Sequence, residues 1–285
     1  MKRIVKLFSM VAVILYSILT NSANKIVQEF VFLIPSYNNA KWYRGNLDSV
    51  VKQEFTQPFR VIYVNDCSTD GTGQLVDNYV KENKLENLIQ VIHNPKQIGA
   101  LANIYNTIHN HCKDHEVVAI VDGDDTLEGD EVLLRLEREY NDPDVWMTYG
   151  QFRLWPSGGI ASWRKEVPRN ILENRKLRQY TGSMPSHLQT FRAKLFKKIK
   201  KKDLTDSKGE FFRMTYDLAI MVPMLEMASP KDKNAKNHSK FISTVLYRYN
   251  FINPISDFRV DKPFQSAIGK LIKAKKPYKP LETLN

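Results

Sequence analysis

Between residues 30 and 150 the chain alternates short apolar runs with longer stretches in which apolar positions recur at helical spacing. Four runs, 30–34, 60–64, 88–92 and 117–121, are nearly continuous in Val, Ile, Leu, Phe and Tyr. Strands read this way when helices cover both faces of a parallel sheet, because neither face is left to water. Helical spacing predicts helices over 45–54, 72–81, 100–112 and 129–140, and a further strand follows over 145–149. The alternation predicts an α/β unit: a mostly parallel sheet flanked by helices. After Tyr149 the regular pattern stops. Residues 152–185, rich in Trp, Arg, Pro and Gly, read as a loop-rich wall, followed by helices over 191–198 and 218–227 and a strand over 241–249. Residues 262–285 are rich in Lys and Pro and read as a solvated basic tail, with docking on an acidic surface as the alternative. The expected organisation is a leader over 1–24, an α/β half over 25–150, a loop- and helix-rich half over 151–261 and the tail over 262–285.

In open α/β sheets, ligands gather outside the carboxyl ends of the strands. Those ends carry Pro35-Ser36-Tyr37-Asn38, Asn65-Asp66-Cys67-Ser68, His93-Asn94-Pro95 and Asp122-Gly123-Asp124-Asp125. The last of these delivers three carboxylates together after an apolar strand. Such a cluster repels itself unless a cation is present, and carboxylate oxygens suit Mg²⁺ or Mn²⁺ with phosphate oxygens in the remaining positions; a solvated acidic turn is the plainer alternative. The segment from Asn65 to Thr72 ends a strand and opens a helix, with Ser68 or Asp70 placed to cap it and Gly71 to allow close backbone approach. Asp66, Ser68, Asp70, Gly71 and Asp77 fall at calcium-loop positions, but a strand precedes them where a helix is needed and the twelfth place lacks Glu.

Composition adds an address and a sign. Lys2, Arg3 and Lys6 precede an apolar stretch over 7–19 and a small polar exit over 20–24. That is the layout of a secretory signal, with a retained membrane anchor or a buried helix as alternatives, and it implies the secretory lumen, export or membrane attachment. No later segment has the length and apolarity of a membrane span. The formal charge of +11, from 42 basic and 31 acidic residues, favours an anionic partner such as a nucleotide, a phospholipid surface or nucleic acid. Clustered Lys and Arg with interleaved aromatics, the mark of a nucleic-acid face, is missing; the run over 194–202 reads as the wet side of a helix. Two cysteines, Cys67 and Cys112, are too few for a disulfide framework.

Taken in order, Ile34-Pro35-Ser36-Tyr37-Asn38, the turn from Asn65 to Thr72, and Asp122-Gly123-Asp124-Asp125 resemble the opening motif, nucleotide-binding turn and DxD motif of family 2 glycosyltransferases. The resemblance implies a GT-A (Rossmann-like) fold with a C-terminal acceptor region, and an inverting, metal-dependent transfer from a nucleotide-sugar donor, most often a UDP-sugar, to a glycan, lipid or protein hydroxyl. Carried over to this chain, it implies that Tyr37 and Asp66 hold the base, with Pro35, Asn38 and Gly123 in the same nucleotide-sugar site. It places Asp122 near the ribose and makes Asp124, with Asp122, the holder of Mn²⁺ or Mg²⁺. Gly99 resembles the family's glycine at the turn after the third strand, with Asn103 and Asn106 as further donor contacts.

Inversion requires a carboxylate base, and Asp217, ahead of an apolar helix, is the candidate; its plain alternative is an N-cap, with Glu210 and Asp206 as substitutes. The family's more common Glu-Asp pair is Tyr216-Asp217 here. His187 is a candidate contact to acceptor, donor or metal, or else a hydrogen-bonded structural residue. Trp155, Trp163 and Tyr180 are candidates for stacking on sugar rings, or else core. The segment from Tyr249 to Asp257 resembles a loop that closes over the donor, and Phe258 stands where some relatives carry a metal-binding His. Two other functions compete: a sugar-nucleotide nucleotidyltransferase, whose Gly-rich basic signature is missing after the first strand, and a non-catalytic binding protein.

Overall fold

The computed structural model describes residues 27–284. Four parallel strands, β1 (Phe30–Ser36), β2 (Phe59–Asn65), β3 (Ile89–His93) and β4 (Val117–Ile120), alternate with α1 (Tyr43–Val51), α2 (Thr72–Glu82) and α3 (Ala100–His111). The short β5 (Thr126–Leu127) and α4 (Val132–Tyr140) lead to β6 (Met147–Gly150) and β7 (Arg153–Trp155). Alternation along β1 shows why its apolar run is unbroken. Val31 and Leu33 enter the core layer shared with α3, while Phe30, Phe32 and Ile34 enter the layer shared with α1, α2 and α4. Both faces are dry, as the composition of the four runs predicts.

The second half holds α5 (Arg169–Glu173), β8 (Gln189–Arg192), α6 (Ala193–Lys197), α7 (Tyr216–Ala228), β9 (Ser239–Ile242), β10 (Tyr247–Asn250), α8 (Asp257–Val260) and α9 (Lys262–Ala274). The main sheet runs β3-β2-β1-β4-β8-β6-β9, with β8 antiparallel to both neighbours, and a small sheet runs β5-β10-β7.

Three sequence expectations are corrected here. The helix expected over 191–198 is a strand followed by a short helix. Gln189 and Thr190 are fully buried in mid-sheet, and Thr190 is held by a hydroxyl chain with Tyr140 at 2.8 Å and Thr148 at 2.6 Å. The Gln189 side-chain amide is buried without a protein partner, and a central strand built on such polar residues carries no apolar run to announce it. The single strand expected over 241–249 is two strands in different sheets. The segment expected as a solvated tail is instead folded: Asp261 caps α9 by accepting from the Phe264 amide, Ile268 and Ile272 are buried, and Tyr278, Leu281 and Leu284 pack on the core. A buried ion pair anchors it, with Arg178 donating to both oxygens of Glu226 and to the Ile272 carbonyl, while the Tyr278 amide donates to Glu226. The leader expected over 1–24 lies outside the described residues. Among the described residues no helix is long and apolar enough to cross a membrane.

Candidate functional site

The carboxyl ends of β1, β2 and β4, the start of α7 and the segment from Asn253 to Gln265 enclose one crevice of about 700 Å³. Pro35, Tyr37, Asp66, Gly99, Asp122, Gly123, Asp124, His187 and Asp217 all line it. Asp66, Asp122 and Asp124 thus share one opening.

Glycine geometry shapes two of these turns. A Cβ on Gly123 would fall 2.5 Å from Ser36 Oγ and 2.7 Å from Asn39 Nδ2, so only glycine lets the Asp122–Asp124 turn lie against the end of β1. Gly99, at φ +88°, takes a backbone conformation that side chains disfavour. Its amide donates to Asp66 Oδ2 at 2.8 Å, while Oδ1 of the same carboxylate accepts from the Ile98 amide and Asn94 Nδ2. Asp66 thus clamps the loop that opens α3.

Three carboxylates follow β4, but they do not act alike. Asp122 Oδ1 accepts from the Tyr216 hydroxyl at 2.6 Å, and Asp124 Oδ2 accepts from Asn253 Nδ2 at 2.6 Å. Asp125 turns inward, where Tyr247 Oη and the Asn250 amide satisfy it, so it does not line the crevice. Asp217 is not the N-cap of α7, a place taken by Thr215; it sits in the first turn and faces the crevice. Asp206 and Glu210 lie in an exposed turn outside the lining, which removes them as substitute bases.

Burial and mutual repulsion act on the whole cluster. Asp122 is pushed up to about 8 by burial, then by Asp124, against the hydrogen bond from Tyr216. Burial also raises Asp124 and Asp217, and it raises Asp257 together with repulsion from Asp217 and Asp124. Arg164 opposes the rise at Asp217. Such a set accommodates a divalent cation readily, since hard oxygens of one sign are what Mg²⁺ or Mn²⁺ binds. Among the described residues no group of three or more His, Cys, Asp or Glu side chains forms a metal site by itself. The arrangement fits an ion held by one or two carboxylates with a ligand's phosphate oxygens in the remaining positions.

His187 lines the crevice as a buried ring stacked on Tyr247, with centroids 4.5 Å apart. Burial, then the charge of Arg164, lowers its pKa to about 3, so it is neutral. Other expected residues are placed elsewhere. Asn38, at φ +53°, ties two loops by accepting from the Thr69 amide and donating its own amide to Ser68, and its neighbour Asn39 lines the crevice instead. Asn103 accepts from Asn94, and neither it nor the exposed Asn106 reaches the lining. Trp163 is 57% exposed and outside the crevice, and Trp155 packs edge-on against Trp42 at 5.4 Å. Arg213, which was not singled out from sequence, lines the crevice, and so do Asn253 and Asp257, in the segment expected to close over the donor. The Asn-rich stretch from Asn250 to Asn253, spaced to reach back to Asp124, was the available signal.

A model of the family described as Glycosyl transferase family 2 matches residues 31–200. The poly(ribitol-phosphate) beta-N-acetylglucosaminyltransferase TarS of Staphylococcus aureus (strain MW2) is 42% identical over 60 residues, 21% of this chain and 10% of TarS. Glycosyltransferase GlyG of Streptococcus pneumoniae serotype 4 is 27% identical over 120 residues, 42% of this chain and 38% of GlyG. The matches thus span well under two thirds of either relative. Among solved structures, S. aureus TarS 1-349 in complex with UDP aligns with TM-score 0.57 at 23% identity, over 80% of this chain and 61% of that one. Its complex with UDP-GlcNAc aligns at 0.53 and 22% identity, over 79% and 59%. The mannosyltransferase PcManGT of Pyrobaculum calidifontis, in complex with GDP-Man and Mn²⁺, aligns at 0.50 and 16% identity, over 77% and 56%. Identities this low bear on the fold, which is GT-A.

Proposed function

Because the chain belongs to glycosyl transferase family 2, we propose that its crevice binds a UDP-sugar with a divalent cation and transfers the sugar, with inversion, to a hydroxyl of a glycan, lipid or protein acceptor. Membership of the family favours glycosyl transfer over the nucleotidyltransferase and non-catalytic alternatives.

One observation carries the reading: Asp122, Asp124, Asp217 and Asp257 are gathered, all with raised pKa values, in a crevice at the carboxyl ends of parallel strands. Carboxylates so crowded are costly without a function, since each raised value reflects an ionised form held at a disadvantage. Uridine is favoured by the TarS complexes with UDP and UDP-GlcNAc, and a cation by the Mn²⁺ in PcManGT.

Asp124, with Asp122, would hold Mn²⁺ or Mg²⁺, which as a Lewis acid offsets the charge that develops on the departing diphosphate. The chain's own residues do the rest. Tyr37 and Asp66 flank the base, and the Asp66 clamp on Ile98 and Gly99 fixes the loop beside it. Asp217, ionised, takes the proton of the acceptor hydroxyl as that oxygen bonds to the anomeric carbon from the face opposite the diphosphate. The bond from that carbon to the diphosphate oxygen breaks, and its electron pair leaves with the nucleotide. Burial makes Asp217 a stronger base than an exposed carboxylate, while Arg164 limits the rise and keeps the ionised form accessible.

Protection of the full chain by UDP against thermal unfolding, with and without Mn²⁺, tests the binding half; protection that ignores the metal sinks it. Hydrolysis of a panel of nucleotide sugars, with the anomer read by NMR, tests the rest.

A further inference from the structure

His187 and Arg164 each bury a polar nitrogen without a hydrogen-bond partner: Nδ1 of the imidazole and Nε of the guanidinium. Both groups lie on Phe152. The His187 ring meets the Phe152 ring edge-on at 5.9 Å, and the Arg164 guanidinium lies 6.0 Å from the same ring's centroid. Orphaned buried polar atoms are rare because each forfeits the hydration it had in water. Here one orphan is an obligate donor, and the other can accept. Arg164 is also the charged residue that bears on both His187 and Asp217.

We propose that one buried water accepts from Arg164 Nε–H and donates to His187 Nδ1, and that His187 therefore presents an Nε2–H donor into the crevice, where it binds a hydroxyl oxygen of a sugar ring beside Asp217. His187 lines the crevice while its Nδ1 is shut away, so Nε2 is the ring nitrogen left to meet a ligand. A neutral imidazole carries one proton, and an acceptor's role at Nδ1 assigns that proton to Nε2. Stacking on Tyr247 at 4.5 Å and 10° holds the ring plane, so the donor is aimed before any ligand arrives. Arg164 is in this scheme a positioning residue, and His187 the contact. The proposal rests on the glycosyl-transfer reading only for the identity of the ligand, not for the state of the ring.

Side-chain ¹⁵N–¹H correlation spectra of the full chain read the tautomer directly. Nε2–H is expected for His187 in the wild type, with loss of the single tautomer in Arg164→Met; a dominant Nδ1–H form overturns the proposal, whatever the enzyme's donor. For the ligand, the probes are UDP and UDP-GlcNAc, compared by calorimetry in wild type, His187→Phe, which keeps the stacked ring, and His187→Gln, whose amide restores a donor near Nε2. If the oxygen belongs to the donor sugar, His187→Phe binds UDP normally and UDP-GlcNAc about fivefold more weakly, as one lost neutral hydrogen bond implies, with recovery in His187→Gln. If it belongs to the acceptor, both nucleotides bind normally and the acceptor KM rises by a similar factor. Normal binding and normal turnover in His187→Phe refute the contact. Failure of the wild type to bind either UDP or UDP-GlcNAc counts against the uridine donor proposed above and leaves the tautomer result standing.

Discussion

The Tyr216 hydroxyl donates to Asp122 Oδ1 at 2.6 Å, joining the first turn of α7 to the strand end that carries the acidic turn. This bond places Asp217, the next residue, opposite Asp122 in the same crevice. It also stabilises a carboxylate that burial and Asp124 disfavour. Tyr216→Phe removes the donor and nothing else. A hydrogen bond to a buried charged group contributes about 1.5–3 kcal/mol, so chemical unfolding above about pH 8, where Asp122 is ionised, should detect a loss of that order, accompanied by weaker metal-dependent nucleotide binding. An unchanged unfolding midpoint would show that the bond is dispensable.

The raised carboxylates set the sign of the pH dependence. Asp122, Asp124, Asp217 and Asp257 hold protons in the folded protein at pH values where the unfolded chain has released them. The folded state then binds more protons, so stability falls as pH rises from about 4, the ordinary carboxylate value, towards about 8, the value for Asp122. Asp70 and Glu128 are lowered despite burial, by hydrogen bonds from Thr72 and from Arg248 and Arg153, and their contribution is complete above about pH 5, while neutral His187 adds stability as pH rises only up to its ordinary value of about 6.5. Urea midpoints between about pH 7 and 8 should decline in metal-free buffer and recover when Mn²⁺ is added. A midpoint that climbs across this window would contradict the crowding of the four groups.

Much of this site was legible in the sequence because strand ends are legible. Each unbroken apolar run marked a buried strand, and the polar residues after it had one place to go, so Asp66, Asp122 and Asp124 were found together. The second half resisted for a different reason. β8 buries the polar Gln189 and Thr190 beside a single apolar residue, Phe191, and α9 carries Ile268 and Ile272 among lysines that face water. Periodicity detects a face only when the other face differs from it; α7, apolar all round, shows no stripe, yet the helix expected over 218–227 is there. The loop from Tyr249 to Asp257 was legible as a segment, but which of its residues reaches the acidic turn, Asn253 on Asp124, is set by tertiary contact.

Asp217→Asn and Asp124→Asn separate chemistry from binding. Asparagine cannot take the acceptor's proton, and loss of a general base costs about 10²–10⁴ in rate. Asp217→Asn should therefore lose turnover to that extent while UDP with Mn²⁺ binds within about twofold of wild type. Asp124→Asn should abolish the Mn²⁺-dependent part of UDP protection. Near-normal turnover in Asp217→Asn would transfer the base role to Asp257, the other raised carboxylate of the crevice that is not in the acidic turn.

Asp66 has a double load, and its variants should reveal both parts. Its oxygens accept from the Ile98 and Gly99 amides and from Asn94. Asp66→Ala leaves those donors unpaired, and amide hydrogen exchange at Ile98 and Gly99 should quicken even without nucleotide. UDP affinity should fall as well. Faster exchange with unchanged affinity would make Asp66 a loop clamp with no part in holding the base.

The folded C-terminal segment makes a stability claim that a solvated tail does not. Arg178 and Glu226 are 4% and 7% exposed, and their pair joins residues 272 and 278 to the C-terminal end of α7. Removing one partner of a buried pair strands the other charge in a dry interior, at a cost of about 3–5 kcal/mol. Arg178→Met should therefore lower the unfolding midpoint sharply, whereas Lys279→Ala, on the same segment but without a buried partner, should leave it nearly unchanged. Because α7 also carries Tyr216 and Asp217 at its other end, a loosened C-terminal segment should raise the KM for donor before it unfolds the sheet. Equal midpoints for Arg178→Met and wild type would mean that the segment packs without bearing on the core.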